Sequence, residues 1–333
     1  MTLNLLFTSR HATYMTGDFR LTYRDRPPVD DIFAQKIVPV IKAEWCALAS
    51  FCGVAKTSTG IDVGDWIVEQ ARQAVMGEKF ADFVGRLRGA DRWLAPLDDK
   101  RITILITGFR GRKPFLVCLS NFQDIDGRLL GKTRPQLEKF ELNNPKTATI
   151  RVFGDPDSVL EKERLSLRDI LSKNHADDAM YGMGFLADVN KKAATRGTTI
   201  SEACVVGRLL PTGEGHMRAF GIDPDLEYMP NFVRRQFAVG GVVDFKPKTD
   251  DQGQPLKPAW VQMGFKVLGA GKEARTLCIN ELRNVQGYVK GPIPLESDHE
   301  TATWSKISER GGRETVTVLR PGEKPTGAGW KKV

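Results

Sequence analysis

Apolar and polar positions change rhythm several times along this chain, and each change marks an element. Residues 2–8 form a short apolar run, Ser9-Arg10-His11 a polar turn, and residues 12–19 a second run carrying Gly17-Asp18. The chain therefore opens as two paired strands, and the returning strand brings Asp18 back beside the start. Residues 24–31, with Pro27-Pro28, read as a loop. Lys36 to Ile41 and Trp45 to Phe51 read as strands, the second closed by a turn at Cys52-Gly53. The period then shifts. Trp66, Ile67, Gln70, Ala71, Ala74 and Val75 recur near 3.6, which predicts a helix over 63–76 with Asp62 as N-cap. Phe80, Phe83, Val84 and Leu87 predict a second helix over 78–93, ended by Pro96.

Residues 102–107 and 114–119 read as strands joined by a connector over 108–113. The polar stretch 121–146 reads as an irregular insertion. Another strand is predicted over 147–153. Helices follow over 158–173, capped by Asp157 or Ser158, and over 177–195, with Met180, Met183, Leu186 and Val189 as core candidates and Gly197 as stop. A strand over 203–210 ends at Pro211-Thr212-Gly213. Later the pattern weakens, with strands at 238–244 and 259–268 and a Gly-, Pro- and Lys-rich tail over 311–333. Grouped strands alternating with helix pairs predict an α+β fold, antiparallel sheets covered by helices, rather than a wound βαβ sheet.

The 333 residues carry 41% apolar and 27% charged side chains, the balance of a globular protein with a large core. No apolar run approaches the roughly 20 residues of a membrane helix. Leu3 to Phe7 is too short for a signal-peptide core, which places the chain in the cytoplasm. Five scattered Cys, none in a CxxC pair, read as buried free thiols. The four His have no zinc-ligand spacing, and Asp124-Ile125-Asp126-Gly127 lacks the distal Glu of a calcium loop, so neither metal nor cofactor is expected. The net charge of +8 favours acidic partners. Its basic residues are mostly mixed with acidic ones, which argues against a nucleic-acid module.

The chemistry-bearing feature is the position directly behind Met1. Removal of that Met would leave Thr2 with a hydroxyl nucleophile and a free amine on one residue, and the amine can act as base for its own hydroxyl. An ordinary hairpin whose second residue is Thr accounts for the same residues.

Several motifs in this order resemble the proteasome β-subunit family, including the bacterial two-component ATP-dependent protease. Thr2-Leu3-Asn4-Leu5-Leu6-Phe7 is similar to the strand that begins with the mature catalytic threonine. Tyr14-Met15-Thr16-Gly17-Asp18, continued by Arg20 and Thr22, is similar to the strand ending in Gly-Asp. Lys36-Ile37-Val38-Pro39-Val40 resembles the strand that begins with the active-site lysine. Ala49-Ser50-Phe51-Cys52-Gly53 resembles the turn that supplies the oxyanion-binding N–H. Ile104 to Phe109 with Pro114 to Val117 resembles the hairpin after the second helix.

The resemblance implies a four-layer αββα sandwich over residues 1–213; the residues after it have no counterpart in the family, and their own pattern reads as a partly β extension of unknown role over 214–310 and a flexible basic tail over 311–333. The resemblance also implies Thr2, Asp18 and Lys36 as catalytic residues, Cys52 and Gly53 as backbone oxyanion donors, and Arg20, Ser158 and Ser201 as supports. Lys36 would lower the pKa of the Thr2 hydroxyl and amine, and Asp18 would orient Lys36. The implied function is an N-terminal-threonine amidohydrolase, a peptidase acting on peptide or protein substrates within a homo-oligomeric ring, with an ATP-dependent unfoldase as a further partner. Leu3 stands where the family usually repeats Thr. Gly154-Asp155-Pro156-Asp157-Ser158 replaces a Gly-Ser-Gly segment. The stretch before the late strand lacks an Asp, with Ser201 or Thr199 available for the hydroxyl. These departures keep a catalytically inactive scaffold or binding protein open as an alternative. Asp18 also reads as a strand-end residue, Lys36 as an edge-strand charge and Gly53 as a plain turn.

Overall fold

The computed structural model describes residues 2–21, 29–30, 36–42, 44–57, 61–72, 78–173, 179–197 and 199–221. Beyond these it describes Gln252 and, as backbone alone, the strands between 246 and 332. The architecture is α+β, with sheets that are antiparallel except where Val289–Ile293 and Arg313–Val318 pair in parallel. One sheet has the order Val38–Ile41, Trp45–Gly53, Ile102–Arg110, Lys113–Ser120, Glu138–Asn143. The other begins Thr149–Gly154, Leu3–Thr8, Thr13–Asp18, Cys204–Leu209, Gly215–Phe220 and continues through Ala259–Leu268 and Arg275–Arg283. Strands Val289–Ile293, Arg313–Val318, Ala302–Ile307 and Lys331–Lys332 complete it. Strands 313–318 and 331–332 fall within the stretch read from sequence as a tail, and segment 238–244 lies outside the described residues.

Three apolar clusters organise the packing. Leu6, Met15, Phe153 and Val205 of one sheet meet Leu48, Leu105, Leu116 and Cys118 of the other. The opposite face of the five-stranded sheet (Val38, Ala47, Phe51, Ile104, Val117) is covered by the helix Val63–Arg72 and the helix Phe80–Leu87, through Ile67, Phe80, Phe83 and Leu87. Leu3, Leu5, Phe7, Tyr14 and Val206 on the outer face of the larger sheet meet Leu167 and Leu171 of Glu161–Lys173 and Met183 and Leu186 of Ala179–Ala194. Both faces of the first strand are thus buried, which is why it reads as a nearly continuous apolar run.

Several elements differ from their sequence reading. The stretch predicted as one helix over 78–93 breaks into Phe80–Leu87, a 3-10 turn at Arg88–Ala90 and the short helix Asp91–Leu94, with Gly89 inside the break. The connector over 108–113 is tighter than expected: the ladder runs to the pair Arg110–Lys113, leaving a two-residue turn. Within the supposed insertion, Glu138–Asn143 pairs along Lys113–Ser120 as an edge strand. Its half-exposed Glu-Lys-Phe-Glu-Leu-Asn pattern carries little strand signal. The helix expected from 158 starts at Glu161, and the Glu163 carboxylate accepts the Leu160 N–H at 2.9 Å, closing the first turn from the third helical position. Asp62 does cap its helix, accepting the Asp65 N–H at 3.2 Å. Among the described residues no helix is long and apolar enough to cross a membrane.

Candidate functional site

The first two strands pair with Leu6 opposite Met15, so the chain start lies alongside Asp18, whose strand neighbour on the other side is Cys204. The Asp18 side chain turns back to the beginning of the chain. Its Oδ2 accepts the Leu3 N–H at 2.9 Å and its Oδ1 the Arg20 N–H at 3.1 Å. Lys36 reaches the same point across Gly17. A Cβ on that glycine would stand 3.4 Å from Lys36 Cβ and 3.2 Å from Ile37 Cγ1, so a side chain there would crowd the segment that delivers the lysine.

Lys36 is fully buried, as is Asp18, and Thr2 is 6% exposed. The Lys36 Nζ donates to Thr2 Oγ1 at 2.6 Å, to Asp18 Oδ1 at 2.6 Å and to the Arg20 carbonyl at 2.8 Å. Three acceptors around Nζ match the three donors of a lysine ammonium. Burial pushes the Asp18 carboxyl above its ordinary value, against the opposing pull of the Lys36 charge and the Leu3 and Arg20 N–H groups. Three donors converge on the carboxyl, the Leu3 and Arg20 N–H groups and the Lys36 Nζ.

Cys52 and Gly53 end the second strand of the smaller sheet, opposite Thr103 and Ile102. Ile102 directs its N–H to Asn121 Oδ1 and receives the Asn121 N–H on its carbonyl, so Gly53 and Ile102 form a pair that exchanges no hydrogen bonds. The Gly53 N–H therefore points out of the ladder, on the flank from which Val38–Ile41 approaches. Gly53 has φ 96°, and a Cβ there would collide with the Arg101 carbonyl, so only glycine fits. Burial raises the Cys52 thiol to about 12, which keeps it protonated and inert as a nucleophile.

The Lys36 Nζ thus gathers Thr2 Oγ1, the Asp18 carboxyl and the Arg20 carbonyl around one atom. Ser158 and Ser201 bond locally. The Ser158 hydroxyl donates to the Asp155 carbonyl at 2.7 Å, and the Ser201 hydroxyl accepts the Ala203 N–H at 3.2 Å. Arg20 enters through its main chain, to which the sequence motifs assign no role. Gly154 and Gln123 also adjoin the site. Gly154 pairs with Leu3, has φ 86°, and packs so closely on the Thr2 carbonyl that no side chain could stand there. The fully buried Gln123 accepts the Gly154 N–H at 3.1 Å. A polar residue inside a polar insertion gives no sequence signal; Gly154 is visible in the sequence as a glycine closing a strand and opening the segment that stands in place of Gly-Ser-Gly. Among the described residues no group of three or more His, Cys, Asp or Glu side chains is placed to hold a metal ion.

No family model matches the chain, and no curated protein does. Among solved structures it is similar to Anbu from Hyphomicrobium sp. strain MC1, with 11% identity and a TM-score of 0.44 over 66% of this chain and 88% of that one. It is also similar to Anbu, described as an ancestral beta-subunit, from Yersinia bercovieri, with 10% identity and a TM-score of 0.40 over 61% and 80%. The helical assembly of the Anbu complex from Pseudomonas aeruginosa gives 11% identity and a TM-score of 0.38 over 61% and 79%. These findings correct the family membership implied by the sequence motifs. No family model matches, and the similar structures named above are Anbu, at a likeness too low to carry activity, substrate or assembly to this chain.

Proposed function

We propose that the chain is an N-terminal-threonine amidohydrolase. The observation that carries this reading is the buried Lys36 ammonium shared between Thr2 Oγ1 and the Asp18 carboxylate. A cation 2.6 Å from the hydroxyl stabilises the alkoxide that forms during attack. Since the ammonium is saturated with acceptors, the proton acceptor is the Thr2 amine, freed by removal of Met1. Thr2 Oγ1 attacks an amide carbonyl carbon and passes its proton to that amine. The outward Gly53 N–H is the donor we assign to the tetrahedral oxyanion. The carbon–nitrogen bond then breaks, and the leaving amine takes the proton back. Water, deprotonated by the same amine, attacks the acyl ester and releases the acid with Thr2 restored.

The reading extends to a peptide or protein substrate, a homo-oligomeric housing and an ATP-dependent unfoldase partner. It also takes the three apolar clusters as an αββα stack in residues 1–213. Light scattering and ATP-dependent degradation test the assembly and partner expectations. The chemistry is tested by incubating the mature protein with a threonine-reactive electrophile such as a β-lactone. Wild type acquires one adduct on Thr2 and Thr2→Ala acquires none; an adduct elsewhere, or none in wild type, contradicts the mechanism.

A second reading, a catalytically inactive scaffold or binding protein, is favoured by one observation. The Ser158 and Ser201 hydroxyls bond to their own turns. Retention of Met1 in the purified protein would select it.

A further inference from the structure

Outside the Thr2–Asp18–Lys36 group, Gln123 is a buried polar side chain with four hydrogen-bond partners. It is fully buried, and its amide spans three separate segments. Its Nε2 donates to the Gly127 carbonyl at 2.8 Å, which fixes the amide orientation. Its Oε1 accepts the Gly154 N–H at 3.1 Å, the Thr103 hydroxyl at 3.3 Å and the Cys52 thiol at 3.5 Å. The residue is itself anchored, its N–H donating to Ser120 Oγ at 2.9 Å.

Two of these partners border the proposed catalytic centre. Gly154 is the strand partner of Leu3 and lies against the Thr2 carbonyl. Cys52 precedes Gly53 and lies beside Gly154, 3.5 Å from the position a Cβ would take on that glycine. One amide oxygen therefore ties Thr149–Gly154, the strand paired with the one that follows the nucleophile, to the strand end that presents the outward N–H. The two elements come from different sheets, so their spacing is not set by any shared ladder.

We propose that Gln123 is a positioning residue for the Thr2 centre, fixing the distance between the nucleophile and the Cys52–Gly53 strand end; this rests on the amidohydrolase reading above. It touches no reacting atom and acts through Gly154 and Cys52. Displacing such a clamp costs rate steeply, because a misplacement near 1 Å is worth about a hundredfold.

The test uses the full chain, a β-lactone electrophile and intact-mass kinetics, with each rate expressed per folded molecule from near-ultraviolet circular dichroism. Gln123→Met keeps the volume and removes both hydrogen-bonding functions. We expect it to label at Thr2 at least about tenfold more slowly than wild type while folded. A wild-type rate in folded Gln123→Met overturns the proposal and leaves the reading of Thr2 intact. Gln123→Glu gives a second readout should Gln123→Met fail to fold. As a neutral carboxylic acid it can both accept from Gly154 and donate to Gly127, as the amide does. As a carboxylate it faces the Gly127 carbonyl without a proton. The ratio of the Gln123→Glu rate to the wild-type rate should therefore fall as pH rises; a ratio constant with pH overturns the proposal. Absence of wild-type labelling at Thr2 overturns both the proposal and the reading beneath it.

Discussion

Replacing Lys36 by Met removes the cation on which three oxygens converge. The Asp18 carboxylate is left fully buried with two main-chain donors, at 2.9 and 3.1 Å, and no counter-charge. Thr2 Oγ1 and the Arg20 carbonyl lose a donor as well. Breaking a buried ion pair from one side costs about 3–5 kcal/mol, mostly the penalty of the stranded charge. The double variant Lys36→Met/Asp18→Asn removes both charges and keeps the shape, so it should recover about 2 kcal/mol of that loss, a coupling typical of contacting groups. Urea unfolding measures both, with the midpoint read at unchanged slope. The sign of the pH dependence follows from Asp18. Burial already raises its folded-state pKa, and removing Lys36 removes the largest opposing influence. Between the ordinary value of about 3.9 and the raised folded value, the folded state binds the extra proton, so stability increases as pH falls. The deficit of Lys36→Met should therefore narrow on acidification through that window. A loss below about 1 kcal/mol, or a double variant equal to the sum of its singles, would refute a shared buried site.

Further expectations follow from the same structure. Gly154→Ala puts a side chain at φ 86° against the Thr2 carbonyl and should cost at least about 2 kcal/mol in urea unfolding while abolishing labelling at Thr2; an unaffected variant would contradict the packing. Burial raises the thiols of Cys46 and Cys52 to about 12 and that of Cys118 well above its usual value, so alkylation at pH 8 should modify them only after unfolding, as peptide mass mapping checks. Phe83→Ala empties a fully buried position under the first helix pair and should cost about 3–5 kcal/mol in thermal or urea unfolding, leaving the labelling rate per folded molecule unchanged.

Elements whose own residues carry a strong apolar period are legible in the amino-acid sequence alone. The opening hairpin, Trp45–Gly53, the strand ending in Ser120, and Phe80, Phe83, Val84 and Leu87 on one helix face are of this kind. What the sequence hides depends on partners distant along the chain. Glu138–Asn143 is a strand because Lys113–Ser120 offers it an edge, not because its own residues favour one. The break after Leu87 lies inside a helical pattern that Gly89 only weakly interrupts. In the site, the opening hairpin places Asp18 beside the chain start, whereas Lys36 is singled out only by the resemblance of its strand to the family's lysine strand, its own residues reading as an edge-strand charge. Arg20 contributes a carbonyl and an N–H that any residue could supply, so its identity says nothing of that role. Gln123 is separated from Gly154 by 31 positions, and an amide in a polar stretch looks like surface until burial is known. The family motifs point in the other direction, implying a membership that the comparisons do not sustain.

The account stands on Thr2 becoming the first residue with its own amine free beside the Lys36 ammonium. Intact-mass spectrometry of the purified chain, before and after a β-lactone, tests this in one experiment. The account predicts a mass lacking Met1, a single adduct after treatment, and peptide sequencing that places the adduct on Thr2. A chain that keeps Met1 and takes up no adduct would contradict it.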